Sequence, residues 1–188
     1  MNIVIDIRAL MGGKTSGVEV YIRNLIRNIA EIDEKNTYIL FANASKNQEK
    51  FLPKIDRKNI IMLQTKIPNK LLNLSLSFFQ RPRLDKIILK QLQQKYPAKK
   101  IQKIDIFFMP DLRLSALSKG IKKISTIHDL SFVHFPELFS KISRLWYKIL
   151  NLKREIEKSN RIIAVSNFTK KDLIKTYKIS KEKIGVIY

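Results

Sequence analysis

The sequence predicts an α/β fold, a mainly parallel, doubly wound sheet with helices on both faces. Three observations predict it. Short runs of β-formers alternate with helical patterns along the whole chain, and such alternation calls for parallel crossovers. Turn-formers and polar pairs recur where the strand-like runs stop, at Gly12-Gly13, Pro110-Asp111, His128-Asp129 and Ser166-Asn167. The chain has 188 residues, 45% of them hydrophobic, enough for one well-packed domain over residues 1–188 and too few for two of ordinary size.

Residues 2–7 alternate apolar and polar and read as the first strand, which breaks into Met11-Gly12-Gly13-Lys14-Thr15-Ser16-Gly17. Ser16 with Glu19 forms a capping box for the helix that follows. Val18, Ile22, Leu25, Ile26 and Ile29 supply its buried stripe. Strands are expected over 37–42 and 60–63. From Lys66 to Lys103 the pattern is helical, interrupted by Pro68, Pro82 and Pro97. A fourth strand, 104–109, stops at Pro110-Asp111, and a fifth spans 121–127. One long helix is expected over 138–158, then a sixth strand over 161–165. Ser166 opens a helix that runs to about Lys178, and 184–187 reads as a last strand.

In an open parallel sheet, ligands bind outside the carboxyl ends of the strands. Gly12-Gly13, Pro110-Asp111, His128-Asp129 and Ser166-Asn167 all follow such ends and are expected to converge on one crevice. The stretch Thr126-Ile127-His128-Asp129-Leu130-Ser131-Phe132 is the most informative of them. It carries a His-Asp pair, and both histidines of the chain, His128 and His134, lie in or just beyond it. The competing reading is a partly buried His128 that only orders the loop.

Composition narrows the field further. Without cysteine there is neither a disulfide framework nor a thiolate nucleophile or metal ligand. No apolar run approaches a spanning helix. The start, Met1-Asn2-Ile3-Val4-Ile5-Asp6, lacks the basic region of a signal peptide, so a cytoplasmic protein is expected. A net charge of +21, from 37 Lys and Arg against 16 Asp and Glu, favours a polyanionic partner: nucleic acid, an anionic membrane or a phosphorylated substrate. Abundant Lys, Ile and Asn throughout are equally what a biased genomic base composition produces.

The glycine loop invites comparison with a phosphate-binding P-loop, because Gly13-Lys14-Thr15 matches the end of that motif. Its first glycine is missing, and Arg8 stands there instead, so the backbone nest around the phosphates cannot form in the usual way. A looser reading survives, in which the loop and helix N-terminus present N–H groups to an anion. An ordinary βα turn is the alternative.

Taken in order, "MNIVIDIRAL…SGVEVYIRNLIRNI", "TIHDLSFVHFPELFS" and "SNRIIAVSNFTKKDLIKTYKISKEKIGVIY" resemble the N-terminal half of family-4 glycosyltransferases. These are retaining enzymes built from two Rossmann-like domains (the GT-B architecture). The resemblance covers nearly the whole chain and weakens only between about Phe51 and Lys103. It implies an acceptor-side domain whose glycine loop, Gly12, Gly13 and Gly17, approaches the donor's phosphates. It also implies that His128 contacts the transferred sugar and that Asp129 orients the histidine and its loop. Arg8, Asp111, Ser166 and Asn167 hold rim positions suited to acceptor or phosphate, and Ser166 is equally suited to capping a helix.

The reaction implied is transfer from a nucleotide-sugar with retained configuration, the departing phosphate helping to take the acceptor proton. His128 would stabilise developing charge and position the sugar. The nucleotide-sugar, GDP-mannose or a UDP-hexose, is a co-substrate, and no separate cofactor is implied. No Asp-x-Asp pair occurs, so no catalytic metal is expected. The family's donor site centres on two glutamates eight positions apart in a C-terminal domain, and no such pair occurs here. The sequence therefore reads as half an enzyme, a fragment, a truncated frame or one partner of a split protein, inactive alone.

Between Lys66 and Lys103, Asp85 is the sole acidic residue, beside Arg81, Arg83, Lys86, Lys90 and many Leu and Phe. Basic amphipathic helices can lie on anionic bilayers, which would place the protein at the inner face of the membrane on a glycan or lipid-linked acceptor. Packing helices with solvated Lys faces are the competing reading. The alternative from another functional class is a non-catalytic basic α/β module binding polyanions such as nucleic acid. Against it, aromatic and basic residues do not cluster as RNA-binding surfaces require.

Overall fold

The computed structural model describes residues 1–13, 16–44 and 46–188. Lys14 and Thr15, the end of the P-loop comparison, lie outside the described residues. Among the described residues there are seven strands: β1 (Asn2–Asp6), β2 (Thr37–Asn43), β3 (Ile60–Thr65), β4 (Ile106–Met109), β5 (Lys122–Ile127), β6 (Arg161–Ala164) and β7 (Ile184–Val186). The α-helices are α1 (Gly17–Ile32), α2 (Asn69–Phe79), α3 (Leu84–Lys95), the single turn α4 (Ser131–His134), α5 (Lys141–Leu150), α6 (Leu152–Lys158) and α7 (Asn167–Tyr177). The predicted class is the one observed: a Rossmann-like α/β fold with parallel strands. No described helix is long and apolar enough to cross a membrane.

The chain divides into two compact units. The first holds residues 1–108 and 115–121. Its strands run in the order β3-β2-β1-β4, all parallel, with Ile3 opposite both Tyr38 and Ile106, and Tyr38 opposite Ile60. Strands covered on both faces need continuous apolar runs, which explains why Ile39, Leu40, Phe41 and Ala42 are all buried in β2. Helix α1 starts where the capping box places it, Ser16 Oγ accepting from the Glu19 amide at 3.3 Å. It buries Ile22, Ile26 and Ala30. In α3, Leu84, Ile88 and Leu92 recur four apart and are buried. The buried Asp85 carboxylate accepts from the Ser118 amide at 2.9 Å, tying α3 to the 115–121 segment.

The second unit holds residues 109–114 and 122–188, with parallel strands in the order β5-β6-β7. Its core gathers Ile127, Leu130, Leu152, Ile156, Ile162, Ala164, Leu173 and Ile184. Beside them Lys123 and Glu155 form a buried ion pair, and the Ser125 and Ser159 hydroxyls meet at 2.9 Å. Both contacts fasten β5 to α6 and the residue just after it.

Here the structure corrects one expectation. The single helix predicted over 138–158 is two helices, α5 and α6, parted at Asn151. Asn151 adopts left-handed backbone (φ 48°), a conformation asparagine tolerates better than most residues. Its amide donates to Tyr147 O at 3.1 Å and closes α5, while its side-chain oxygen accepts from the Arg154 amide at 3.2 Å and caps α6. Apolar spacing continues across the break, so periodicity alone conceals it.

Candidate active site

His128 is the first residue past β5. Its Nε2 lies 2.9 Å from the Pro110 carbonyl oxygen. A carbonyl can only accept, so Nε2 carries the proton and, in the neutral ring, Nδ1 is the acceptor. The main chain is held as well, since Thr169 Oγ1 donates to the His128 carbonyl at 3.1 Å. Ring and backbone are thus fixed by two separate segments of the second unit, and the residue stays only half-buried.

Asp129 is exposed and accepts from the Ser131 amide at 2.8 Å and from the Ser131 hydroxyl. This local turn opens α4. Asp129 is thus bonded within its own turn, and the Pro110 carbonyl holds the imidazole. Asp111 lies 3.5 Å from Arg113 Nε. That nitrogen is buried without a hydrogen bond, so the contact is electrostatic in nature. Burial raises the Tyr147 phenol above its ordinary range, and the nearby Asp111 and Asp129 carboxylates raise it further. The Tyr147 ring stacks on Phe132 at 4.0 Å, bracing α4 against α5.

Ser166 serves as the N-cap of α7, its Oγ accepting from the Thr169 amide at 3.0 Å. Asn167 is exposed and donates to Tyr188 Oη at 2.8 Å. A second histidine also acquires a partner: His134 Nε2 lies 2.8 Å from Asp172 Oδ1. It borders a cleft of about 470 Å³ lined by Asp129, Leu130, Phe135, Phe168 and Lys171, among others. Among the described residues, no three His, Asp or Glu side chains gather closely enough to hold a metal ion.

The structure thus brings His128, Asp129, Asp111, Ser166 and Asn167 into the second unit. Arg8, Gly12, Gly13 and Gly17 belong to the first. There Arg8 is only 7% exposed. Its Nε sits 2.9 Å and its Nη2 2.6 Å from the two Asp6 carboxylate oxygens, a forked pair at the end of β1. Gly13 has φ +71°, and a Cβ there would lie 2.8 Å from the Phe51 ring. Left-handed backbone and the ring together require glycine. Gly17 shows neither constraint, with open space around it. Arg81, Arg83, Lys86 and Lys90 are exposed, as are Leu71, Leu74, Phe78 and Phe79 of α2 and its end.

Sequence reasoning missed Thr169, Tyr147, the Pro110 carbonyl and the His134–Asp172 pair. Thr169 alone left a signal, three places after the N-cap Ser166. The others are long-range contacts with no local pattern.

A family model described as Glycosyltransferase Family 4 matches residues 15–188. The O-antigen chain mannosyltransferase RfbU of Salmonella typhimurium (strain LT2) is 33% identical over 63 residues, 34% of this chain and 17% of that protein. A crystal structure of a glycosyltransferase from Rickettsia africae ESF-5 aligns over 99% of this chain and 42% of its own, at 18% identity and a TM-score of 0.46. The matched regions therefore cover less than half the length of either relative. With the family match extending from residue 15 to residue 188, the loop that fixes His128 is that of a protein belonging to glycosyltransferase family 4.

Proposed function

We propose that this chain forms the acceptor side of a retaining glycosyltransferase. It would move a hexose from a nucleotide-sugar to a glycan or lipid-linked acceptor of the cell surface. One observation carries the reading: in a family-4 chain, His128 stands half-exposed at the end of β5 with its ring fixed by the Pro110 carbonyl. A histidine held that way can meet charge developing on a transferred sugar without reorganising. The Asp111 and Asp129 carboxylates nearby suit hydroxyl groups of an acceptor. Gly17, with open space around it, allows close approach of a phosphate to the start of α1. The named mannosyltransferase relative favours mannose as the sugar and a nucleotide-activated mannose as the donor.

In this reading the donor's nucleotide is held by residues outside these 188, since no glutamate here has another eight positions on. Catalysis then needs a second, donor-binding domain, supplied in the same chain or by a partner. The reaction takes place in the cytoplasm, at the inner face of the membrane, with Arg81, Arg83, Lys86 and Lys90 facing anionic lipid. The test is sugar transfer from GDP-mannose and UDP-hexoses to a cell-surface glycan acceptor pool, with and without an added family-4 donor domain. Transfer only in its presence is expected. Sustained transfer by the 188 residues alone would overturn the assignment of donor binding, and no transfer in any combination would overturn the whole reading.

A further inference from the structure

Helix α5 presents an apolar stripe to solvent. Ile142, Leu145 and Ile149 are 82%, 59% and 42% exposed, and Leu138, in the turn just before, is 75% exposed. Their spacing of three, four and seven places them on one face. This face is not the one that anchors the helix. Leu150 is buried, Tyr147 stacks on Phe132, and Phe139 meets Tyr147 edge-on at 5.7 Å. Lys141, Arg144 and Lys148 are exposed alongside the stripe, and Trp146 sits half-buried at its other border.

Residues 138–154 contain no Asp or Glu, and Lys153 and Arg154 extend the positive charge just past α5. A second copy of this chain docking through the stripe would bring like charges together. A neutral apolar partner would leave them unmatched. An apolar band beside lysine and arginine, with tryptophan at its edge, matches the depth profile of a membrane interface. Ten residues of helix measure about 15 Å, half of the roughly 30 Å hydrocarbon core, so α5 is suited to lie in the interface plane.

We propose that the exposed face of α5 docks on an anionic lipid bilayer, Leu138, Ile142, Leu145 and Ile149 entering the acyl boundary and Lys141, Arg144 and Lys148 meeting lipid phosphates. This surface lies within the second unit. It does not depend on the glycosyl-transfer reading.

Trp146 is the sole tryptophan and reports on the stripe directly. Its emission is followed as the full chain is titrated with phosphatidylglycerol vesicles and, separately, phosphatidylcholine vesicles. A blue shift with the anionic vesicles only, weakened at high salt, is expected. The exposed-site double variant Ile142→Ser, Leu145→Ser should bind at least about tenfold more weakly, with its thermal melt unchanged. A charge variant, Lys141→Gln, Arg144→Gln, Lys148→Gln, should weaken binding without touching the apolar residues. The proposal is overturned by an equal shift with neutral vesicles or by none at all. It is overturned equally by undiminished affinity in both α5 variants, or by self-association of the chain that the double variant abolishes.

Discussion

Two loops of this molecule follow strand ends and carry the residue types that chemistry uses, yet the fold treats them differently. After β1, in the first unit, the polar and special residues serve the fold: Arg8 is buried against Asp6, and Gly13 fits its left-handed backbone under the Phe51 ring. After β5, in the second unit, the structure spends its bonds on holding His128 in place while leaving it half-exposed. The lesson is physical. A charged or flexible residue at a strand end marks a site only if its polar groups are positioned and still accessible. Burial satisfies Arg8 through the protein itself, whereas His128 is anchored and stays only half-buried.

The comparison can be broken most sharply at the first loop. Asp6→Ala should destabilise the protein by about 3–5 kcal/mol, because it strands a buried guanidinium. Urea denaturation measures this. A loss below about 1 kcal/mol would mean that Arg8 is free to turn outward, and would restore it as a ligand-binding residue.

At the second loop the expectation is reversed. In the enzyme with its donor domain present, His128→Ala should lower kcat by about 10²–10³, as for loss of one preorganised donor. Its stability should fall by only about 1 kcal/mol, the worth of the bond to Pro110. Steady-state kinetics and a thermal melt of the same sample separate the two effects. Unchanged kcat would make His128 a loop-ordering residue and erase the contrast.

The smallest effects divide the glycines of the first loop. Gly13→Ala should cost about 1–2 kcal/mol for the left-handed backbone, with the Phe51 clash in addition. Gly17→Ala meets open space and should leave stability within about 0.5 kcal/mol. If Gly17→Ala nonetheless raises KM for the nucleotide-sugar, its small size serves the ligand, and the two glycines have different reasons for being there. A normal KM would remove Gly17 from the site.

Much of the fold was legible locally. Alternating strand and helix patterns, the Ser16 capping box and the Ser166 N-cap are set by neighbours within four residues, so the sequence displays them. The Asn151 break is also local, but its signal is a single tolerated conformation set against continuous apolar spacing, and the spacing hides it. Of the candidate site, His128 could be found from its place after an apolar run. Its anchors could not: Pro110 is 18 residues away and Thr169 is 41.

By itself, then, the sequence determined the parallel α/β class, the strand ends at which polar residues collect, and the resemblance that pointed to glycosyl transfer. These depend on periodicity, turn chemistry and residue order, all carried by the chain as a string. The tertiary structure alone decided that Arg8 is consumed by Asp6, that Asp129 serves Ser131 while Pro110 holds the imidazole, and that α5 turns an apolar stripe outward. Each of those depends on which side of a residue is buried and on partners brought together by folding. Neither a pattern of hydrophobicity nor a motif specifies them, because burial and long-range hydrogen bonding belong to the packed chain.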